Sequence, residues 1–335
     1  MNNAELLAAL DGAVKSITIT DLAESILNPE KQARFIKAMQ TKTTVLPESR
    51  YVPMDSHTAD IDRIAFIGRI LVSGANADGT QKVLAENEFA KPQTFTNKLI
   101  AKELQAVVGL RDDALRRNIE RGNFENTLVD MMGEAAGRDL EEWAMFANEE
   151  YDPATDLFLS LTDGWVEKAV NKVYGVESEA AAADEDFDPT EPEAIFDALI
   201  AATPKQYLQD RNEWRFYVPF EVEDAYRDIL RSRGTALGDD AQTGFRQLHY
   251  KGIPVVHVPV YERSATVASG GVGRVCMLQH PDNMAWGVFH RVIIEPEREA
   301  KARRTDFVLT FEGDSGYEDE NAGAVAYLDV AKPAA

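Results

Sequence analysis

Two long extended runs joined by a turn, with a long helical pattern directly behind them, constrain this fold more than any other feature. The first run, Ile61 to Val72, is rich in Ile, Phe and Val and ends at the turn-forming cluster 74–79, Gly-Ala-Asn-Ala-Asp-Gly. The second run returns through Val83, Phe89, Phe95 and Leu99. Each arm can reach on the order of 40 Å at about 3.4 Å per residue. A two-stranded ribbon of that length is marginally stable alone in water, so we expect it to lie on another surface, which a neighbouring copy could supply.

A long amphipathic helix is predicted to follow this hairpin. Asp112 is a good N-cap residue, and Asp113 places an acid in the first turn. Apolar residues then recur at three- and four-residue steps and define one face: Leu128, Met132, Ala135, Leu140, Trp143 and Ala147. Polar residues are expected to leave much of the remaining surface in water: Glu134, Arg138, Asp139, Glu141 and Glu142.

The predicted length of this helix is unusual. A helix of roughly 35 residues spans about 50 Å, several times the usual length of about 11 residues. Gly122, Gly133 and Gly137 lie inside it, and each glycine costs up to about 1 kcal/mol there. Packing must therefore hold the helix straight, and Gly122 could divide it in two.

Composition and charge exclude several classes of protein. The chain has 335 residues, 44% of them hydrophobic, which is enough for one large or two ordinary folded domains. Its 57 acids against 35 bases give a formal charge of −22, which disfavours a basic nucleic-acid-binding face and favours repulsion from a polyanion. Cys276 is the single cysteine, so we expect no intrachain disulfide and no cysteine-based zinc site. No apolar run reaches about 18 residues, and the first residues lack a secretory pattern. A membrane span is therefore not expected, and cytoplasmic synthesis is.

The remaining segments predict mixed α/β structure. Short helical stripes followed by an extended arm at Thr41–Pro47 are expected in the first 50 residues. After the long helix, the pattern predicts a short strand or turn at Leu157–Leu161 and a helix from Gly164 that ends near Gly175. Helices are also expected at Glu193–Ala202 and Glu221–Arg233, and strands at Trp214–Val218, within Leu248–Val260, at Val275–Leu278, Met284–Val288, Arg291–Phe311 and Ala322–Val330.

Recognisable chemistry is scarce along the chain. The Gly271-Val272-Gly273 run lacks the third glycine of a dinucleotide fingerprint, because Cys276 stands there. The hairpin turn resembles a calcium loop, but Gly74 and Ala85 occupy ligand positions. The five histidines, which show no ligand spacing, are His57, His249, His257, His280 and His290.

Two more candidates have plainer interpretations. Cys276 is interpreted as a small buried apolar residue. One acidic cluster could hold a hard cation weakly, although a solvated loop is the favoured interpretation: Glu312, Asp314, Glu318, Asp319 and Glu320. We therefore assign no catalytic, cofactor-binding or metal-ligating residue.

The order of these pieces resembles the Hong Kong 97-like major capsid proteins of tailed bacteriophages. The run from Leu99 to Leu115 resembles that family's return from an extended loop into a long helix, and Leu140–Asn148 resembles the end of that helix. Tyr250-Lys251-Gly252-Ile253-Pro254-Val255 resembles a strand of the axial domain, and Trp286–Phe307 resembles strands of the peripheral domain. Such proteins share little sequence, so the resemblance lies in order and spacing over nearly the whole chain.

The resemblance implies an α+β fold divided in the family's manner. It places an N-terminal arm at 1–50, an extended β-hairpin loop at 51–97, a peripheral domain at 98–148 and 286–313, and an axial domain at 149–285 and 314–335. It implies a structural shell protein without enzymatic activity. Copies would assemble through hexameric and pentameric capsomers into an icosahedral virion shell around double-stranded DNA. Maturation would bend the long helix near Gly122 or Gly133 and slide the hairpin.

The family also implies partners. A separate scaffolding protein is expected because the arm begins almost at Met1, together with a portal and a possible decoration protein, while DNA is a non-specific content. Lys82 and Glu86 lie in the loop, but no matching Asn is found, so no covalent crosslink is assigned. Two alternatives remain open at this point: an encapsulin-like compartment that encloses an enzyme cargo, and a soluble acidic enzyme with an unrecognised site.

Overall fold

The computed structural model describes residues 16–17, 43–65, 69–75, 80–83, 89, 91–111, 124–176, 187–232, 247–267 and 274–331. The α-helices are α1 (Phe124–Phe146), α2 (Trp165–Lys168), α3 (Pro192–Ala202), α4 (Phe220–Ser232) and α5 (Val260–Val267), and one 3-10 turn lies at Pro281–Asn283. The strands are β1 (Ser16–Ile17), β2 (Arg50–Pro53), β3 (Thr58–Ala65), β4 (Gln93–Ile100), β5 (Lys102–Arg111), β6 (Lys172–Val176), β7 (Arg215–Val218), β8 (Leu248–Tyr250), β9 (Ile253–His257), β10 (Val275–Gln279), β11 (Met284–Glu299), β12 (Arg304–Tyr317) and β13 (Gly323–Ala331).

These strands form two larger sheets and a separate two-stranded ribbon. One sheet has the order β1-β5-β12-β11-β2 and the other has the order β6-β13-β10-β7-β9-β8. Among the described strands, β3 pairs with β4 alone. The hairpin of β11 and β12 is the longest pairing and runs from Met284 opposite Tyr317 to Glu299 opposite Arg304. Along β12 the apolar residues Phe307, Leu309 and Phe311 alternate with more exposed neighbours, as one buried sheet face requires.

The main core lies where helix α1 meets the base of this hairpin. Trp143 of α1 packs edge-on against Trp286 of β11 with ring centroids 6.0 Å apart, and Trp286 stacks on Phe311 of β12 at 5.4 Å. Trp165 of α2 closes the group at 6.4 Å from Trp286. Aromatic pairs in these geometries add to the burial of a large apolar area. The core therefore joins the long helix to the five-stranded sheet.

A second core forms where helices α3 and α4 pack on the six-stranded sheet. Phe196 of α3 contacts Phe216 of β7, Tyr226 of α4 and Tyr250 of β8, with ring centroids 4.6 to 5.5 Å apart. Cys276 of β10 is fully buried in the same cluster, which confirms its interpretation as an apolar residue. Burial raises the pKa of its thiol, so the group is held neutral and away from solvent.

Helix α1 confirms part of the long-helix prediction. Its described span holds 23 residues and contains Gly133 and Gly137, whereas Asp112, Asp113 and Gly122 lie outside the described residues. The predicted apolar face is correct at Met132, Leu140, Trp143 and Ala147. The expectation that Glu141 and Glu142 lie in water is wrong, because both are buried, at 0% and 5% exposure. The last turns of α1 are enclosed on several sides, which a one-face pattern does not anticipate.

Two further local predictions are wrong for physical reasons. The predicted helix from Gly164 to near Gly175 is helical only over α2, since Ala169 turns extended and β6 then pairs parallel with β13. A tertiary strand pairing thus overrides the local pattern. The arm predicted at Thr41–Pro47 is a turn where it is described, because the amide of Ser49 donates to the carbonyl of Val45 at 3.0 Å.

The short helical stripes predicted in the first 50 residues lie outside the described residues. The single extended run predicted at Arg291–Phe311 is wrong, because β11 continues from Met284 to Glu299 and residues 300–303 turn the chain back into β12. The remaining predicted elements are confirmed with small shifts at their ends. The helices at 193–202 and 221–233 correspond to α3 and α4, the segment 157–161 forms turns, and the predicted strands appear as β7 to β13. Between β8 and β9, Lys251 and Gly252 adopt φ of 48° and 88°, the left-handed conformation that glycine accepts without strain. In the described part of the chain, none of the helices is both long and apolar enough to span a membrane.

Candidate assembly surfaces

The predicted hairpin is confirmed as a ribbon, the name used here for residues 58–100. Strands β3 and β4 pair antiparallel from Thr58 opposite Ile100 to Ala65 opposite Gln93. Farther out, the amide of Lys82 donates to the carbonyl of Gly74 at 2.9 Å, and Ala75 bridges Gln81. The two arms therefore remain paired near the predicted turn, while the turn residues 76–79 lie outside the described part.

The ribbon exposes large apolar side chains, most of them in its distal half. Leu71 is 79% exposed, Val83 is 89% exposed and Ile64 is 70% exposed. Exposed apolar side chains also include Ile70, Val72 and Phe89. Single exposed apolar residues are ordinary, but a group of them on one projecting element marks an interaction surface. Because the described strands of the ribbon pair with neither large sheet, these side chains remain available to a surface outside the subunit.

The root of the ribbon is the end of β3 and β4 near Thr58 and Ile100. It packs against the five-stranded sheet through Leu99. Leu99 is 1% exposed and clusters with Met54, Ile61 and Ala285. An added Cβ at Gly287 or at Gly316 would lie 2.7 Å from a methyl carbon of Leu99. The two glycines therefore leave the space that Leu99 occupies, and this close approach is the reason for glycine in β11 and β12.

The acidic cluster predicted as a solvated loop is instead part of this root. Asp314 is 2% exposed, accepts the amide of Ile100 at 2.8 Å and the hydroxyl of Thr162 at 3.2 Å, and pairs with Lys168 at 3.3 Å. The prediction failed because β12 continues as a buried strand as far as Tyr317. The small residues Gly313, Ser315 and Gly316 around Asp314 are the sequence signal that could have indicated close packing.

Asp319 connects the ribbon to the other half of the molecule. It is 6% exposed, pairs with Arg63 of β3 and accepts the hydroxyl of Tyr207 at 2.6 Å. Its remaining oxygen accepts the amide of Asn321 at 3.1 Å. Satisfied buried carboxylates fix geometry, so Asp319 holds the ribbon root to the loop that precedes β7.

Two outer acids of the same cluster complete the root. Glu318 pairs with Arg50 of β2, and Glu312 faces His57 at 3.3 Å. Each pair has a well-exposed partner, Arg50 at 48% and His57 at 71% side-chain exposure, so these pairs contribute little to stability. Asp314 and Asp319 are therefore the acids of this cluster that anchor the ribbon, and the solvated-loop prediction is wrong for both.

The described residues bring together no three side chains in a metal-binding group. Three of the histidines have separate surroundings: His249 contacts the carbonyl of Gln247, His257 lies against Phe220, and His280 faces Glu213. The glycine run at 271–273, the turn at 76–79 and Glu86 lie outside the described residues.

Comparison with known proteins gives independent evidence on the family of this chain. No protein-family model matches the chain. The candidate prophage capsid protein YqbE of Bacillus subtilis (strain 168) is 30% identical over 302 residues, which cover 89% of this chain and 91% of that protein. Two solved capsid structures share the fold. A subunit of the native GTA particle capsid has a TM-score of 0.61 at 13% identity and covers 93% of this chain and 98% of its own. A subunit of the bacteriophage PhiM1 mature capsid has a TM-score of 0.58 at 11% identity and covers 91% and 92%.

The overall fold of this chain thus recurs in solved capsid subunits. The identity with the prophage protein extends over most of both chains, and the solved capsid subunits share the architecture over most of theirs. The chain therefore belongs to the tailed-phage major capsid proteins of the Hong Kong 97-like fold, whose copies assemble into the shell of the virion.

Proposed function

We propose that the distal part of the ribbon binds the neighbouring subunit in the shell, a contact called the grip below. We also propose that the subunit performs no catalysis. The observation that carries this proposal is the exposure of Leu71 and Val83, at 79% and 89%, on an element whose described strands pair with neither large sheet. A standard subunit contact buries about 1,600 Å² in total. Closed symmetric assembly buries such surfaces on every copy.

We further propose that the chain is divided as the family resemblance implies. The arm would occupy 1–50, the extended loop 51–97, the peripheral domain 98–148 and 286–313, and the axial domain 149–285 and 314–335. The separation of the two sheets supports this division, since β5, β11 and β12 lie in one and β6 to β10 with β13 lie in the other. The hairpin of β11 and β12 would then carry the chain between the two domains.

The proposed partners follow from the same role. Copies of the chain would form hexameric and pentameric capsomers. A separate scaffolding protein, a portal and, in particles that carry one, a decoration protein would complete the assembly. The formal charge of −22 supports DNA as a non-specific content, because an acidic shell repels the packaged polyanion.

Substitutions at the ribbon test the proposed grip. Val83→Asp places a charge on the contact side chain without touching a core, so we expect a folded subunit with unchanged thermal melting. Negative-stain microscopy should show free capsomers or subunits in place of closed shells. Val83→Ile is the matched control and should assemble like the wild type. Closed shells from Val83→Asp in wild-type yield would overturn the proposal.

A further inference from the structure

One carboxylate oxygen of helix α1 receives three consecutive backbone amides from a distant part of the chain. The amides of Thr44, Val45 and Leu46 donate to Oε2 of Glu141 at 2.7, 2.9 and 3.2 Å. Glu141 is fully buried. Several N–H groups that converge on one anion form a specific binding geometry, and bonds to an ionised acceptor are stronger than neutral ones.

The position of Glu141 in the helix is otherwise unfavourable. It lies near the C-terminal end of α1, where the helix dipole disfavours an acid, and no basic residue occupies the last turn. Its second oxygen, Oε1, is buried without a hydrogen-bond partner. Glu142 and Asp139 on the same helix pair instead with Arg263 of α5, at 3.3 and 2.9 Å. The contact with residues 44–46 is therefore what accounts for an acid at position 141.

The other side of the turn is also attached to the body. The side chain of Val45 is fully buried in the main core. The hydroxyl of Tyr217 in β7 donates to Oε2 of Glu48 at 3.3 Å, and Nε of Arg215 lies 3.9 Å from the same oxygen. The turn 43–49 thus contacts the long helix at one end and the six-stranded sheet at the other.

We propose that Glu141 is a clasp that fixes the turn 43–49, which leads into β2, on helix α1. The clasp is a property of the single subunit and does not depend on the proposed grip of the ribbon. It assigns Glu141 a positioning role in the fold. The acid holds the turn 43–49 against the same helix end that packs on the main core.

Amide hydrogen exchange of the full-length chain tests the clasp, with peptides that cover residues 43–49. In Glu141→Ala the amides of Thr44, Val45 and Leu46 lose their acceptor, so we expect their exchange to rise at least about tenfold. Exchange in the last turn of α1 should not change. Glu142→Gln is the matched control, since Glu142 contacts Arg263 and not the turn, and it should leave residues 44–46 protected.

A second variant keeps the test decisive where Glu141→Ala does not fold. Glu141→Gln preserves the shape and one carbonyl oxygen but removes the charge, so we expect a smaller rise in exchange at residues 44–46. Unchanged exchange at these amides in Glu141→Gln would overturn the clasp. An equal rise in Glu142→Gln would also overturn it, because the effect would then belong to the helix end in general.

Discussion

Arg63 on the ribbon strand β3 pairs with Asp319 beyond the end of β12, and this contact ties the ribbon to the body of the subunit. The side chain of Asp319 is 7% exposed and that of Arg63 is 25% exposed, so water screens the pair only partly. The guanidinium of Arg63 also lies 4.9 Å from the ring centroid of Phe95 on β4. One side chain therefore joins both ribbon strands to a buried carboxylate.

Removal of this guanidinium should destabilise the subunit. Arg63→Ala leaves Asp319 with Tyr207 and Asn321 but without a cation, and an incompletely satisfied buried group costs about 1 to 3 kcal/mol. We expect the free energy of unfolding in urea to fall by that amount. Arg231→Ala is the control, since its pair with Asp228 is 59% exposed on both sides and should be worth less than about 0.5 kcal/mol. Equal losses in the two variants would contradict a structural role for Arg63.

Gly164 should not tolerate a side chain. An added Cβ there would lie 2.7 Å from the backbone carbon and oxygen of Met145, and the amide of Gly164 already donates to Ala147 at 2.7 Å. Backbone atoms cannot move aside as the end of a side chain can, so overpacking should cost about 1 to 3 kcal/mol. Gly164→Ala should therefore lower the free energy of unfolding measured in urea. A variant as stable as the wild type would contradict this prediction, because the backbone at the end of α1 would then have shifted to make room for the added methyl group without cost.

Gly133→Ala should have the opposite effect. Nothing lies within 4 Å of an added Cβ at Gly133, which is exposed inside helix α1. Alanine is favoured over glycine in a helix by about 0.5 to 1 kcal/mol, so the thermal melting temperature of the subunit should rise.

The same variant tests whether maturation bends the helix at this glycine. If it does, particles of Gly133→Ala should expand more slowly than wild-type particles in light scattering, and equal expansion would place the bend elsewhere.

Local sequence patterns predicted the hairpin and the buried face of helix α1 well. The apolar runs on either side of residues 74–79 identified a hairpin, and three- and four-residue spacing identified the buried face of α1 at Met132, Leu140 and Trp143. These features follow from backbone periodicity, which acts over a few residues. The order of such elements also carried the resemblance to the capsid family.

Buried acids could not be predicted in this way. Glu141, Asp314 and Asp319 look like solvated charges in sequence, because their partners lie far along the chain at Val45, Ile100 and Arg63. A carboxylate is buried only when distant donors satisfy it, and no local pattern contains those donors. The helix predicted from Gly164 failed for a related reason, since the pairing of β6 with β13 depends on residues more than a hundred positions away.

The buried carboxyl of Glu141 should give the subunit a distinctive dependence on pH. Burial raises the pKa of Glu141 above its ordinary value of 4.5, and the amides of Leu46, Val45 and Thr44 oppose that rise without cancelling it. The folded subunit therefore binds this proton more tightly than the unfolded chain does. The stabilisation that protonation provides is fully present below pH 4.5 and is lost as pH rises through the raised pKa of the folded state.

Glu141→Gln cannot titrate, so its free energy of unfolding in urea should fall less than that of the wild type from about pH 4 to about pH 7. Glu134→Gln, at an exposed position of the same helix, is the matched control and should keep the wild-type difference. A larger fall in Glu141→Gln than in the wild type would mean that the three amides outweigh burial and lower the pKa of Glu141.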